Sequence, residues 1–395
     1  MKITAVELQI SNEKVWMLGP TFAKCPNPDV PDHGSMIMNV ACFDGSDSGV
    51  GNLMYRSYDE GESWIEEGFI EKSYMCDREG SMLKVGGNAA LYTDEKAGVM
   101  LFTSNEMYWS KNKYQSTKQC ARQFYRLSFD NGHSWGYKRY IVMPGMNSVN
   151  PIPDVVYGRN FALSMASQTR RADDDSLLVA LQCQIVDSEG KLFEPAGFHF
   201  FQCGAMHAKW NEEFLDYDWT MGDYVRVTPA ESMRGVFEPT FARIGDNSFI
   251  MVMRNSNLRA PEVIGQKFFS VSRDNGYSWS QPKPLTYDDG STMYSSSSVP
   301  KLYEHSNGRL YYIGVINDQN PKGNGPRYPL CIAELDRTSC TILRNTVTVI
   351  DTARGICTDY SNHGIYENSR GELVVYTPFK NEGHFGLNRY VIQVT

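Results

Sequence analysis

No stretch of this 395-residue chain approaches the roughly 18 consecutive apolar residues of a membrane-spanning helix. Its first residues, MKITAVELQI, lack the long apolar run of a secretory leader. The compartment stays open: cytoplasmic, or secreted or periplasmic if the chain has been trimmed. The nine cysteines are odd in number and include no Cys-x-x-Cys, which argues against a zinc site and a complete disulfide framework, and makes a reducing compartment the simpler reading. The seven histidines show no His-x-x-x-His spacing, so no metal is expected. Positive charge is in deficit: 38 Lys and Arg face 46 Asp and Glu, a net charge of −8. Such a chain has no general attraction for nucleic acid or an anionic membrane surface. It can bind an anionic sugar only through locally placed arginines. No long segment keeps a 3.6-residue apolar period, and no linker or charge block divides the chain. One domain over residues 1–395 is expected.

What remains is a texture of short β-strands. FIMVMR (249–254), RLYYIGVI (309–316) and ELVVYTPF (372–379) are rich in branched and aromatic residues. Turn-forming clusters such as GDNS (245–248), SNGR (306–309) and SRGE (369–372) bound them. An octamer recurs as SYDEGESW (57–64), SFDNGHSW (128–135) and SRDNGYSW (272–279). The first two begin 71 residues apart and the last two 144, so a degenerate copy is expected near 200, within HFFQCGAMHAKW (199–210). Such a period suits one four-stranded blade with long loops, five to six of them in this length. Within the octamer, Asp-x-Gly suits a hairpin turn, with Gly taking a positive φ and Asp bonding nearby amides. The Trp packs back between strands. The acidic run RADDDS (171–176) reads as a solvated loop.

These octamers resemble the Asp-boxes, or BNR repeats, of the sialidase superfamily, over the chain from about Asp44 to the end. The resemblance implies an all-β fold, a six-bladed β-propeller with four-stranded antiparallel blades, its boxes far from the active site. It extends to other landmarks. GVFEPTFARIGDNSFIMVMRN (235–255) is similar to the family's Glu and Arg across a hairpin, here Glu238 and Arg254. GPRYPLCIAEL (325–335) offers the next arginine, Arg327, and DYSNHGIYENSRGELVVYT (359–377) resembles the motif of the nucleophilic tyrosine, here Tyr360. The family's acid/base Asp falls on Asp47 of FDGSDSGVGNLMYRS (43–57), with Asp44 as its rival. One landmark differs. Residues 1–55 hold no arginine, and the nearest match to the family's first arginine is Lys24 in PTFAKCPNP (20–28). Lysine is a point charge without arginine's planar fork.

The implied chemistry releases a terminal α-linked sialic or related acidic sugar with retention. A neutral Tyr360 avoids the charge clash that a carboxylate nucleophile would meet at an anomeric carbon bearing its own carboxylate. Glu238 takes its proton. Asp47 protonates the leaving oxygen and then activates water, while Arg254 and Arg327 hold the substrate carboxylate. No metal or organic cofactor is needed, and the expected partner is a glycan. The departure at Lys24 keeps two other readings open: a glycosidase or lyase acting on a uronic or neutral sugar, and a non-catalytic glycan-binding propeller. Oligomeric state is not legible.

Overall fold

The computed structural model describes residues 1–12, 15–45, 48–75, 82–85, 89–109, 121–165, 169–260, 262–352, 360–381 and 383–394. The fold is all-β, a six-bladed β-propeller built from small antiparallel sheets. The chain packs as two compact units, residues 169–362 and residues 2–168 with 363–394.

In the unit of residues 2–168 and 363–394, one blade runs Trp16–Lys24, Met36–Gly45, Ser48–Ser57, Ile65–Lys72. The next has Met82–Val85 and Ala90–Asp94 sharing the strand Val99–Trp109, then Ala121–Ser128 and Arg139–Tyr140. The third takes Gly364–Glu367, Glu372–Asn381 and His384–Gln393 from the end of the chain and Lys2–Asn12 from its beginning. In the unit of residues 169–362, Leu177–Gln184, Phe201–Asn211 and Asp216–Met221 form a meander, with Arg170–Arg171 paired to the first. The other two blades are Phe237–Gly245, Ser248–Arg254, Lys267–Ser272, Lys283–Pro284 and Lys301–Glu304, Leu310–Val315, Leu330–Glu334, Thr348–Asp351.

The strands expected from the apolar runs are present as Ser248–Arg254, Leu310–Val315 and Glu372–Asn381. The first two are buried at every residue, which is why they read as continuous rather than alternating apolar runs. Ile250, Val252, Leu302, Leu310 and Ile342 belong to one core cluster, and Met38, Val40, Leu53, Val374 and Leu387 to another. Each such side chain contributes about 1.5–3 kcal/mol by leaving water.

All three octamers close the turn from third to fourth strand in one way. In the first, Ser57 Oγ donates to Asp59 at 2.8 Å and accepts the Gly61 N–H at 2.7 Å, while Asp59 accepts the Ser63 N–H at 2.8 Å and hydroxyl at 2.6 Å. Ser128, Asp130, Gly132 and Ser134 repeat this, as do Ser272, Asp274, Gly276 and Ser278. Burial works against the charge on Asp59, Asp130 and Asp274. The serine and amide donors outweigh it and hold all three below the ordinary carboxylate range. The box tryptophans pack inward: Trp279 stacks on Phe241 at 5.7 Å and Trp64 bonds Tyr376.

Two expectations need correction. Residues 201–211 are a strand, not a box. The equivalent turn is 211–216, where Asn211 Oδ1 accepts the N–H of Glu213 and of Phe214. The loop between strands Leu177–Gln184 and Phe201–Asn211 lengthens this blade and displaces the turn from the midpoint of the repeat. The acidic run is more than a solvated loop: Asp173 pairs with Arg243 and accepts the Asn247 N–H, and Asp174 accepts the Tyr277 hydroxyl of the third box.

Candidate functional site

Two blades open with nearly the same words, Gly19-Pro-Thr-Phe-Ala-Lys24 and Glu238-Pro-Thr-Phe-Ala-Arg243. Both lose ladder register at the same place, between Leu18 and Thr21 and between Phe237 and Thr240. Thr21 and Thr240 accept the N–H of Leu91 and Leu302 respectively, and Phe22 and Phe241 each meet a box tryptophan. The residue at the bulge is left-handed in both, with φ of 55° at Gly19 and 50° at Glu238. Glycine adopts this freely, whereas another residue spends about 1–2 kcal/mol. The bulge re-aims the side chain it carries, so a carboxylate here trades stability for direction.

That carboxylate meets Arg254, the last residue of Ser248–Arg254, across the ladder from Phe237. Arg254 Nη1 pairs with Glu238 Oε2 at 2.5 Å, Nε donates to Ser297 Oγ at 2.8 Å and Nη2 to Asn324 Oδ1 at 3.0 Å. Its guanidinium lies 4.6 Å from the centre of the Phe237 ring. Five N–H groups belong to a guanidinium and these bonds use three. The Arg254 side chain is buried, and that of Glu238 keeps 21% of its surface. Burial pushes the Glu238 carboxyl up, but Arg254, then Arg327 and Arg234, hold it below the ordinary glutamate range.

Arg327 stands in the connection between Leu310–Val315 and Leu330–Glu334, half-buried. Asn257 fastens that connection, accepting the Gly323 N–H and donating to Pro321 O, both at 2.7 Å. Arg327 O accepts the Tyr360 N–H at 3.3 Å. Tyr360 is buried at the start of a single 3-10 turn whose Ser361 hydroxyl accepts the Val299 N–H. Glu238, Arg254, Arg327 and Tyr360 therefore belong to one unit, the first three as an electrostatic group and the fourth through the Arg327 backbone. Asp47 lies outside the described residues. Its rival Asp44 is exposed near the end of Met36–Gly45. Lys24 is corrected: it ends its strand at the box end of the blade, where it acts on Glu60 of the first box. Its counterpart by repeat is Arg243, five residues along from Glu238.

A family profile described as a BNR repeat-like domain matches residues 38–362. The chain belongs to this BNR repeat-like family. Sialidases are among the solved structures that share its fold. Among solved structures, a protein of unknown function from Dyadobacter fermentans is 14% identical with a TM-score of 0.67, covering 100% of this chain and 99% of the other. A Hadza microbial sialidase is 14% identical with a TM-score of 0.63, covering 96% and 66%. A Trypanosoma rangeli sialidase in complex with sialic acid is 13% identical with a TM-score of 0.63, covering 99% of this chain and 59% of that longer one. These similarities carry the fold. No curated protein matches the chain.

The sequence reading of this BNR repeat-like chain overlooked four residues around Glu238. Arg234 lies over two rings, 5.1 Å from the centre of Phe237 and 5.7 Å from that of Phe201. Its own carbonyl accepts the Phe201 N–H at 2.9 Å. Lys267 is buried and donates to Ser296 O at 2.7 Å and Ser298 Oγ at 3.3 Å. Burial and the repulsion of Arg254 push it well below an ordinary lysine, with Glu238 opposing. Lys301 is buried as well and is pushed down to about 8, by burial first, with Glu238 opposing and Arg170 adding to the fall. Gln182 accepts the Glu238 N–H through Oε1 at 2.9 Å. A signal existed for one of them, since Arg234 precedes the Glu-Pro motif by four residues; separately, the near-repeat at 19–24 marks Glu238 as a replaced glycine. Among the described residues no cluster of His, Cys, Asp and Glu could hold a metal, and no helix is long and apolar enough to cross a membrane. The six described cysteines are buried.

Proposed function

We propose that this chain is an exo-acting glycoside hydrolase of sialidase type that releases a terminal α-linked acidic sugar with retention. The observation that carries the reading is a partly exposed glutamate, Glu238, held at a backbone position that favours glycine, paired with Arg254 and within the electrostatic reach of Arg327 and Arg234. Three guanidinium groups around one carboxylate leave a positive surplus, and an anionic ligand neutralises it. In this reading the sugar carboxylate takes the unused donors of Arg254, with the charges of Arg327 and Arg234 nearby. Arg234 supplies the guanidinium missing from residues 1–55. Tyr360 attacks the anomeric carbon and passes its proton to Glu238, which its depressed pKa keeps ionised at neutral pH. Asp47 donates a proton to the departing oxygen and takes one from water in the second step.

The test is hydrolysis of a fluorogenic α-sialoside by the wild type beside Tyr360→Phe and Glu238→Gln. Turnover that collapses in both variants supports the reading, and full activity in either removes that residue from the mechanism. The place of Lys24 at the box end favours a second reading, an acidic sugar other than sialic acid, such as a uronic acid. A lyase acting on it yields an unsaturated, ultraviolet-absorbing product and a hydrolase does not. Binding of such sugars without turnover would leave a glycan-binding propeller.

A further inference from the structure

The bulge at Glu238 raises a question of backbone accounting. The ladder steps from Phe237–Arg254 to Thr240–Val252, and Pro239 has no N–H, so the Glu238 N–H falls where no strand partner faces it. Gln182 answers it. It lies near the end of Leu177–Gln184, a strand buried throughout, flanked by the fully buried Leu181 and Cys183. A glutamine side chain between such neighbours needs a reason, since burying an amide without a partner costs about 1–3 kcal/mol. Its Oε1 accepts the Glu238 N–H at 2.9 Å. Because the group opposite is a donor, the oxygen must be the atom that faces it, and the orientation of the amide is fixed. Two further facts meet here. Glu238 is held at a φ of 50°, which glutamate does not favour, and its side chain supplies one of the bonds of the buried Arg254. If residue 238 relaxed to extended backbone, its side chain would swing away from Arg254, because side chains of an extended strand alternate between faces.

We infer that Gln182 is a positioning residue for Glu238: its carbonyl holds the left-handed bulge and so aims the Glu238 carboxylate at Arg254 and at a bound ligand. The inference rests on the reading of Glu238 as the group that accepts the nucleophile's proton. It does not need Gln182 to touch the ligand.

The experiment uses Gln182→Leu, which keeps the bulk and removes the acceptor. Two quantities are read: kcat and KM on the fluorogenic sialoside, and titration of the Glu238 carboxyl by carbon NMR, assigned with Glu238→Gln. A displacement of about 1 Å in a reacting group costs up to about 10²-fold in rate, so kcat should fall by 10- to 100-fold with KM little changed. The Glu238 titration should move up toward the ordinary glutamate range as its pairing with Arg254 loosens. A lower melting temperature with unchanged kcat and unchanged Glu238 titration would overturn the inference and leave Gln182 a filler of the core. If the wild type hydrolyses no sialoside, the functional reading fails by itself, and the titration still decides the role of Gln182. Should the leucine variant fail to fold, Gln182→Asn, one methylene too short to reach, is read by the same two outcomes.

Discussion

Glu238 holds in its blade the backbone conformation that Gly19 holds in another, φ of 50° against 55°. Glu238→Gly and Glu238→Ala both delete the carboxylate and its pairing with Arg254, so they differ only in how residue 238 tolerates the left-handed region. The glycine variant should be the more stable by about 1 kcal/mol, measured by denaturant unfolding. Equal stabilities would mean that the bulge imposes no strain.

Arg254→Leu removes the buried counter-charge of Glu238 and should cost about 3–5 kcal/mol. The wild-type carboxyl titrates below the ordinary value of 4.5, so its contribution to stability is present above that value and lost as pH falls through the folded pKa. With Arg254 gone, burial acts against a weaker opposition and the carboxyl titrates higher. Acidification below pH 4.5 should then cost the variant less than the wild type, and unfolding curves at neutral and acid pH will show whether it does.

Lys301 titrates at about 8 in the folded chain against an ordinary 10.5. Between those values the unfolded chain binds the extra proton, so stability should rise with pH across this window and be lost as pH falls through 8. At about 1.36 kcal/mol per pKa unit the rise is roughly 3 kcal/mol. Lys301→Met should lack it, which denaturant unfolding of both proteins at pH 8 and pH 10 would register. Lys267 is displaced in the same direction and will leave part of the slope in place.

Gly132 of the second box has a φ of 81°, and a β-carbon there would sit 2.1 Å from Ile37 Cδ1. Backbone strain of about 1–2 kcal/mol and overpacking of about 1–3 kcal/mol should make Gly132→Ala cost about 2–5 kcal/mol. Because the box is a structural turn, any sialoside turnover should persist at temperatures where the variant stays folded. Thermal unfolding together with kcat at low temperature separates the two effects.

The legible parts of this protein were those whose physics is local. Apolar runs such as FIMVMR bury every residue of a strand, and the octamers carry their own serine and aspartate hydrogen bonds, so strands and boxes could be read directly, and the resemblance of the boxes led to the fold. Glu238 and Arg254 were legible because a short hairpin brings them into register. Lys267, Lys301 and Gln182 were not, because their meeting with Glu238 depends on contacts between segments far apart in sequence; Arg234, four residues before Glu238, was within reach of the sequence and was overlooked. The box near 200 was misplaced because even spacing cannot register one long loop. Lys24 was misplaced by counting from the family landmark rather than from the near-repeat that equates it with Arg243.

Lys2 faces Gln393 in the sheet that takes strands from both ends of the chain. During synthesis Lys2–Asn12 must therefore wait for His384–Gln393, which is made much later. Until then His384–Gln393 does not exist, and Lys2–Asn12 has no ladder to join. The blade that unites them has the longest sequence separation of any described strand pair, and closing it is expected to be among the slow events of folding. Until that closure, strand Lys2–Asn12 offers an unpaired edge to any neighbouring chain, so crowded refolding should favour exchange of this one strand between molecules.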